Sequence, residues 1–157
     1  MKKILLFSVL IISCTALAAS TYAANYVPKY TLTVNNKTIP SDSDIPAPYK
    51  ANDGTVMVPL RTTSEALGYK VLWLPEKEEV RIEDNIQSVT LHNNSSKMIA
   101  IGKLKIINLS GESTLDSPVT KNNGCLYAPA HMFEKFFNDV VITKQAVSIS
   151  AQVSYLN

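Results

Sequence analysis

Few residues of this chain belong to the types that hold metals or attack carbonyls. The histidines are His92 and His131, 39 positions apart, and the cysteines are Cys14 and Cys125. A copper or zinc centre draws three or more His, Cys or carboxylate ligands together, usually through close Cys-x-x-Cys or His-x-His spacing. Neither spacing occurs, so a site built from His92, His131 and Cys125 would depend wholly on long-range folding. His92 is read as a water-facing residue at a strand end and His131 as opening a helix. Ser-His-Asp catalysis would need an exposed nucleophile elbow of the Gly-x-Ser-x-Gly kind, which is absent. Carboxylates gather as Asp42 and Asp44 in a Ser/Pro-rich loop and as Glu76, Glu78 and Glu79 in a charged turn. The Asp42-Ser43-Asp44 run lacks the Gly and the later Glu of a calcium loop and reads as solvated loop. Five glycines, none in a rich cluster, give no phosphate cradle. These residues point to no catalytic group, no metal and no cofactor.

The first residues read as an address. Lys2 and Lys3 precede the apolar run Ile4–Ile12, and small residues follow as far as Ala24. That is signal-peptide anatomy, and the run is too short to span a bilayer. Two processing routes are open. Thr21-Tyr22-Ala23 suits cleavage after Ala23, which makes residues 1–23 a signal peptide. Ile11-Ile12-Ser13-Cys14 loosely resembles a lipobox, which would place a lipid anchor on Cys14. Either route puts the domain outside the cytoplasm. Of 15 Lys+Arg in the chain, two lie in this segment, leaving 13 against 13 Asp+Glu. A neutral domain has no bulk attraction for phosphate backbones, so nucleic acid is excluded as a partner. Contact with a membrane would come only through Cys14. Cys125, the one cysteine after the signal, has no second half for an intramolecular bridge and reads as a small residue on a half-buried strand.

Beyond the extended leader 24–29 the chain is organised as a degenerate repeat. In the first copy, Tyr30–Val34 alternates and turns at Asn35-Asn36-Lys37, as a hairpin does. Asp53-Gly54, the strand Thr55–Val58, Pro59 in a first helical turn and a short helix Leu60–Leu67 come next. Gly68 takes the left-handed cap. Tyr69–Trp73 and Val80–Ile82 read as strands. In the second copy, Met98–Ile101 and Lys105–Leu109 bracket a second hairpin. Asn123-Gly124 stands 70 positions after Asp53-Gly54, and Cys125–Pro129 falls on Thr55–Pro59. His131–Phe137 falls on the first helix, with Asn138 as the left-handed cap in place of Gly68. Met132, Phe133, Phe136 and Phe137 supply an apolar helix face. Helices this short do not persist alone in water and must lie on strands. The expected fold is α+β: short antiparallel strands and hairpins around two short helices, in pseudo-repeated β-β-α-β-β halves, 30–92 and 98–151, with a tail 152–157.

Pro59, Arg61, Glu65 and Gly68 mark the first strand-to-helix corner. Arg61 lies in the first turn, where the helix dipole disfavours a cation. It is read as a structural clamp held by Glu65 at i+4 or by strand carbonyls. Tyr69 and Trp73 share one strand face, core or solvent, and are the candidate binding surface because such rings stack on sugars or anchor proteins.

The order of these residues resembles a known family. Asn35-Asn36-Lys37, Val56-Met57-Val58-Pro59-Leu60-Arg61, Glu65-Ala66-Leu67-Gly68, Val71, Trp73 and Val80–Ile82 are similar to the copper amine oxidase N-terminal-like, or stalk, domain. The resemblance covers 30–151, with a second copy that departs at Ala128-Pro129-Ala130-His131, Asn138 and Thr143. It implies a non-catalytic extracytoplasmic module of the kind common in the cell envelope of Gram-positive bacteria. In copper amine oxidases, metal and quinone belong to another domain, and here only 152–157 follows. The expectation is a binding or spacer module contacting cell wall, polysaccharide or a protein partner. The alternative is a secreted regulator or inhibitor of an extracellular enzyme that presents the 41–53 loop; a metal protein or enzyme ranks last.

Overall fold

A computed structural model describes residues 30–42 and 46–152. The signal and leader assigned to 1–29, with Cys14, lie outside these residues, as do Asp44 and the tail from 153 onward. Thirteen short strands form three sheets among the described residues. In the first sheet, β1 (Thr31–Val34) and β2 (Lys37–Ile39) form a hairpin beside β13 (Ala146–Ala151) and β12 (Asn138–Ile142), in the order β12-β13-β1-β2. Asn35 and Asn36 turn that hairpin with φ of 48° and 63°, the positive values that a two-residue primed turn requires and that Asn tolerates. The β1–β13 pair is parallel, an exception to the all-antiparallel expectation. It joins the chain's first described strand to its last.

The central sheet has the order β10-β11-β4-β3, from β3 (Tyr49–Lys50), β4 (Val56–Pro59), β10 (Thr120–Asn122) and β11 (Cys125–Pro129). Every residue of β4 is buried, as suits a strand covered on both faces. β4 and β11 run antiparallel with Val58 opposite Ala128. These two residues are 70 positions apart, so the seam sets the Val-Pro and Ala-Pro strands back to back.

The third sheet is a meander, β5 (Lys70–Leu74), β6 (Glu79–Glu83), β7 (Gln87–His92), β8 (Lys97–Gly102) and β9 (Gly111–Thr114). β7 and β8 are one hairpin, so the interval between residues 92 and 98 falls inside a paired unit. The expected strand Lys105–Leu109 is not formed; β8 pairs with β9 instead. Residues 103–110 bulge outward and leave Ile106 89% exposed. Gly102 permits this, because a Cβ there would lie 3.2 Å from the Leu109 nitrogen, and its own N–H donates to Ser110 Oγ.

One apolar core draws on all three sheets, including Leu32, Val34, Val58, Leu60, Ile82, Val89, Phe133 and Ile149. The helix α1 (Leu60–Ala66) packs on it through Leu60, Thr63 and Ser64. The second helical segment is a 3-10 helix, Ala130–Phe136, rather than a second α-helix. Its Met132, Phe133 and Phe136 are buried. Phe137 is not part of that face: it is 48% exposed and itself takes the left-handed cap at φ 58°. Asn138, expected as the cap, begins β12 and is buried. The 3-10 rise of about 2.0 Å per residue, against 1.5 Å in an α-helix, reaches the chain reversal one residue sooner.

Candidate functional site

The first corner is closed by backbone bonds and one threonine. Pro59 ends β4 and precedes α1 rather than entering its first turn. Thr63 Oγ1 donates to the Pro59 carbonyl at 2.7 Å, a buried bond that ties the helix to the strand. Gly68 at φ 86° lets the Gly68 and Tyr69 N–H groups donate to the Glu65 and Ser64 carbonyls, each at 2.9 Å. Arg61 stands beside Glu65 at i+4, the partner expected for it. Its guanidinium stands 3.6 Å from Glu65, with both side chains more than half exposed, and such pairs contribute little. The buried tie at the corner is Thr63, whose short hydroxyl reaches the strand carbonyl from inside the fold.

A pocket of about 220 Å³ opens beside this corner, lined by Pro59, Arg61, Val71, Trp73, Lys121 and Cys125 among others. Trp73 is half-buried and packs on the core. The charged residues lining the pocket, Arg61 and Lys121, are both cationic. Cys125 is half-buried at its edge.

Tyr69 lies elsewhere. It precedes β5, and its ring stacks on Phe136 with centroids 4.9 Å apart. Its hydroxyl donates to Asn138 Oδ1 at 3.0 Å, and Asn138 Nδ2 donates to the Phe133 carbonyl at 2.9 Å. Burial pushes the Tyr69 phenol above its ordinary range, although the Asn138 bond opposes the shift. Gln87 Nε2 supplies a second side-chain cap, donating to the Lys135 carbonyl at 2.7 Å. The 3-10 corner, whose Glu134 and Phe133 carbonyls already accept backbone N–H groups at the cap, is thus reinforced by two buried amides that bond the Phe133 and Lys135 carbonyls. Gln87 shares the inward parity of Val89 and Leu91, and a polar residue on an apolar strand face was the signal available for it.

Above Tyr69 lies an open groove of about 930 Å³, bordered by Asn35, Asn36, Phe137, Asp139, Ser150 and Gln152 among others. The Asn35 Oδ1 accepts from the Ala151 N–H at 2.9 Å, and Gln152 Nε2 donates to Asp139 Oδ1 at 3.3 Å. Among the described residues, Asp139 is the one charged group lining the groove. Phe137 at its edge holds a backbone conformation that costs a non-glycine residue about 1–2 kcal/mol. Tyr69 and Trp73 therefore serve two different concavities and form no common surface.

The histidines do not meet. His92 Nδ1 lies 3.4 Å from the Lys77 carbonyl, whereas His131 pairs with Glu134 at 2.8 Å on the surface. Among the described residues no three His, Cys, Asp or Glu side chains converge as a metal would require. No helix among them is long and apolar enough to cross a membrane. No curated protein and no solved structure matches the chain. The family model for the copper amine oxidase N-terminal domain matches residues 33–150, from β1 to β13. That family consists of non-catalytic modules. With the match spanning all three sheets and both corners, the chain belongs to the copper amine oxidase N-terminal domain family.

Proposed function

We propose that this protein is a non-catalytic, extracytoplasmic binding or spacer module of the bacterial cell envelope, in contact with wall polymer, polysaccharide or a protein partner. The observation that carries this reading is the family match over 33–150, which takes in nearly every described element and leaves both concavities within the module. Export is supported by the sequence at 1–23. The module is read as two degenerate halves that complete one interior. Val58 facing Ala128 across the β4–β11 seam supports that reading.

The test is expression of the full chain in a Gram-positive host, followed by fractionation and mass spectrometry of the N-terminus. A chain beginning at Ala24 outside the cell, or one with a lipid on Cys14, is the expected result. A cytoplasmic chain beginning at Met1 contradicts it. Purified protein is expected to sediment with isolated cell walls and to show no turnover of wall material.

A further inference from the structure

We infer that the groove beside the 3-10 corner binds a neutral glycan, with the exposed Phe137 ring as the platform on which a sugar stacks. This rests on the binding-module reading and gives it a site and a ligand class.

Phe137 is the reason to look there. Six non-glycine residues among those described have positive φ; four are Asn, one is Glu78, and the last is Phe137. The core does not require this ring, because Met132, Phe133 and Phe136 fill the interior while Phe137 stays 48% exposed. Nor does the turn require it, since Gly or Asn adopts the same backbone more readily. A bulky aromatic held in a strained conformation and shown to solvent is better explained by what its face touches. Sugar rings present an apolar face of C–H groups that lies flat on an aromatic ring, and an edge of hydroxyls that both donate and accept.

The surrounding groups suit that edge. Asn35 and Asn36 bring two amides on a rigid two-residue turn, Gln152 a third, Ser150 a hydroxyl and Asp139 a carboxylate. Bonds from Ala151 N–H to Asn35 and from Gln152 to Asp139 orient both before any ligand arrives. Such preorganisation lowers the entropy lost on binding. Charge selects the ligand class. With Asp139 its one charged lining residue among those described, the groove disfavours polyanions, in contrast to the Arg61–Lys121 pocket. An open groove of about 930 Å³ suits a chain of several sugars lying along it.

The probe is a β-1,4-linked N-acetylglucosamine tetramer titrated into the mature full chain and followed by amide NMR. Saturable shifts are expected at Asn35, Asn36, Phe137 and Asp139, with the Trp73 indole unmoved. Phe137→Gly is expected to weaken binding by about ten-fold or more without lowering the melting temperature, because Gly accepts the left-handed backbone. Phe137→Trp is expected to keep binding. A wild-type chain that shows no saturable shifts overturns the inference, as do shifts centred on Trp73 or Phe137→Gly binding as well as wild type. Wall sedimentation without tetramer binding removes this site and leaves the module reading standing. Loss of both removes both.

Discussion

At Leu60–Ala66 the chain leaves β4 through an α-helix and closes on Gly68 at φ 86°, whereas at Ala130–Phe136 it leaves β11 through a 3-10 helix and closes on Phe137 at φ 58°. The first closure uses backbone N–H groups, one glycine and the buried Thr63 hydroxyl. The second also uses backbone N–H groups, on the Glu134 and Phe133 carbonyls, and adds the buried amides of Asn138 and Gln87, which reach the Phe133 and Lys135 carbonyls. The two corners sit back to back along one seam, so the same interior is held by different means at each side. The difference also separates their outer surfaces, since the first corner faces a small cationic pocket and the second a wide polar groove with an aromatic edge.

Substitutions at matched positions test this contrast. The largest effect is expected at Phe133, fully buried, where Phe133→Ala should cost about 3–5 kcal/mol in chemical denaturation. Its counterpart 70 positions earlier, Thr63→Ala, should cost only about 1–2 kcal/mol, for one buried hydrogen bond. Equal losses at the two would break the comparison. Next comes Asn138→Ala, which takes the acceptor from the half-buried Tyr69 hydroxyl and one donor from the Phe133 carbonyl and should cost about 1–3 kcal/mol. Gly68→Ala should cost about 1 kcal/mol from the backbone alone, because a Cβ there meets nothing within 4 Å. The smallest effect belongs to Arg61→Ala, expected within about 0.5 kcal/mol of wild type because its Glu65 pair is exposed. A larger loss there would make Arg61 a clamp of the corner.

Much of the fold was legible because local chemistry and tertiary context agree. Asn35-Asn36 and Gly68 demand positive φ by their residue types, and α1 is signalled by Pro59 before an apolar-faced run. The second corner was harder to read. Phe-Phe-Asn suggests two core rings and an Asn cap, yet the 3-10 pitch gives Phe137 the cap and buries Asn138, a shift that no single-residue propensity encodes. The Lys105–Leu109 segment has strand-like composition, but the sheet position beside β8 is taken by β9. Of the candidate site, Trp73 and Arg61 do line one pocket with Pro59, and Tyr69 lines another. The groove itself was hidden from the sequence, because it needs the β1–β2 turn and the β12–β13 end side by side. Only the parallel β1–β13 pairing supplies that.

The decisive measurement is sedimentation of the mature chain with isolated cell walls, comparing Phe137→Gly with the double variant Arg61→Ala, Lys121→Ala. Wild type and the double variant should sediment alike while Phe137→Gly stays in solution with its melting temperature undiminished. Retention by Phe137→Gly with loss in the double variant would contradict the account and move the site to the other corner.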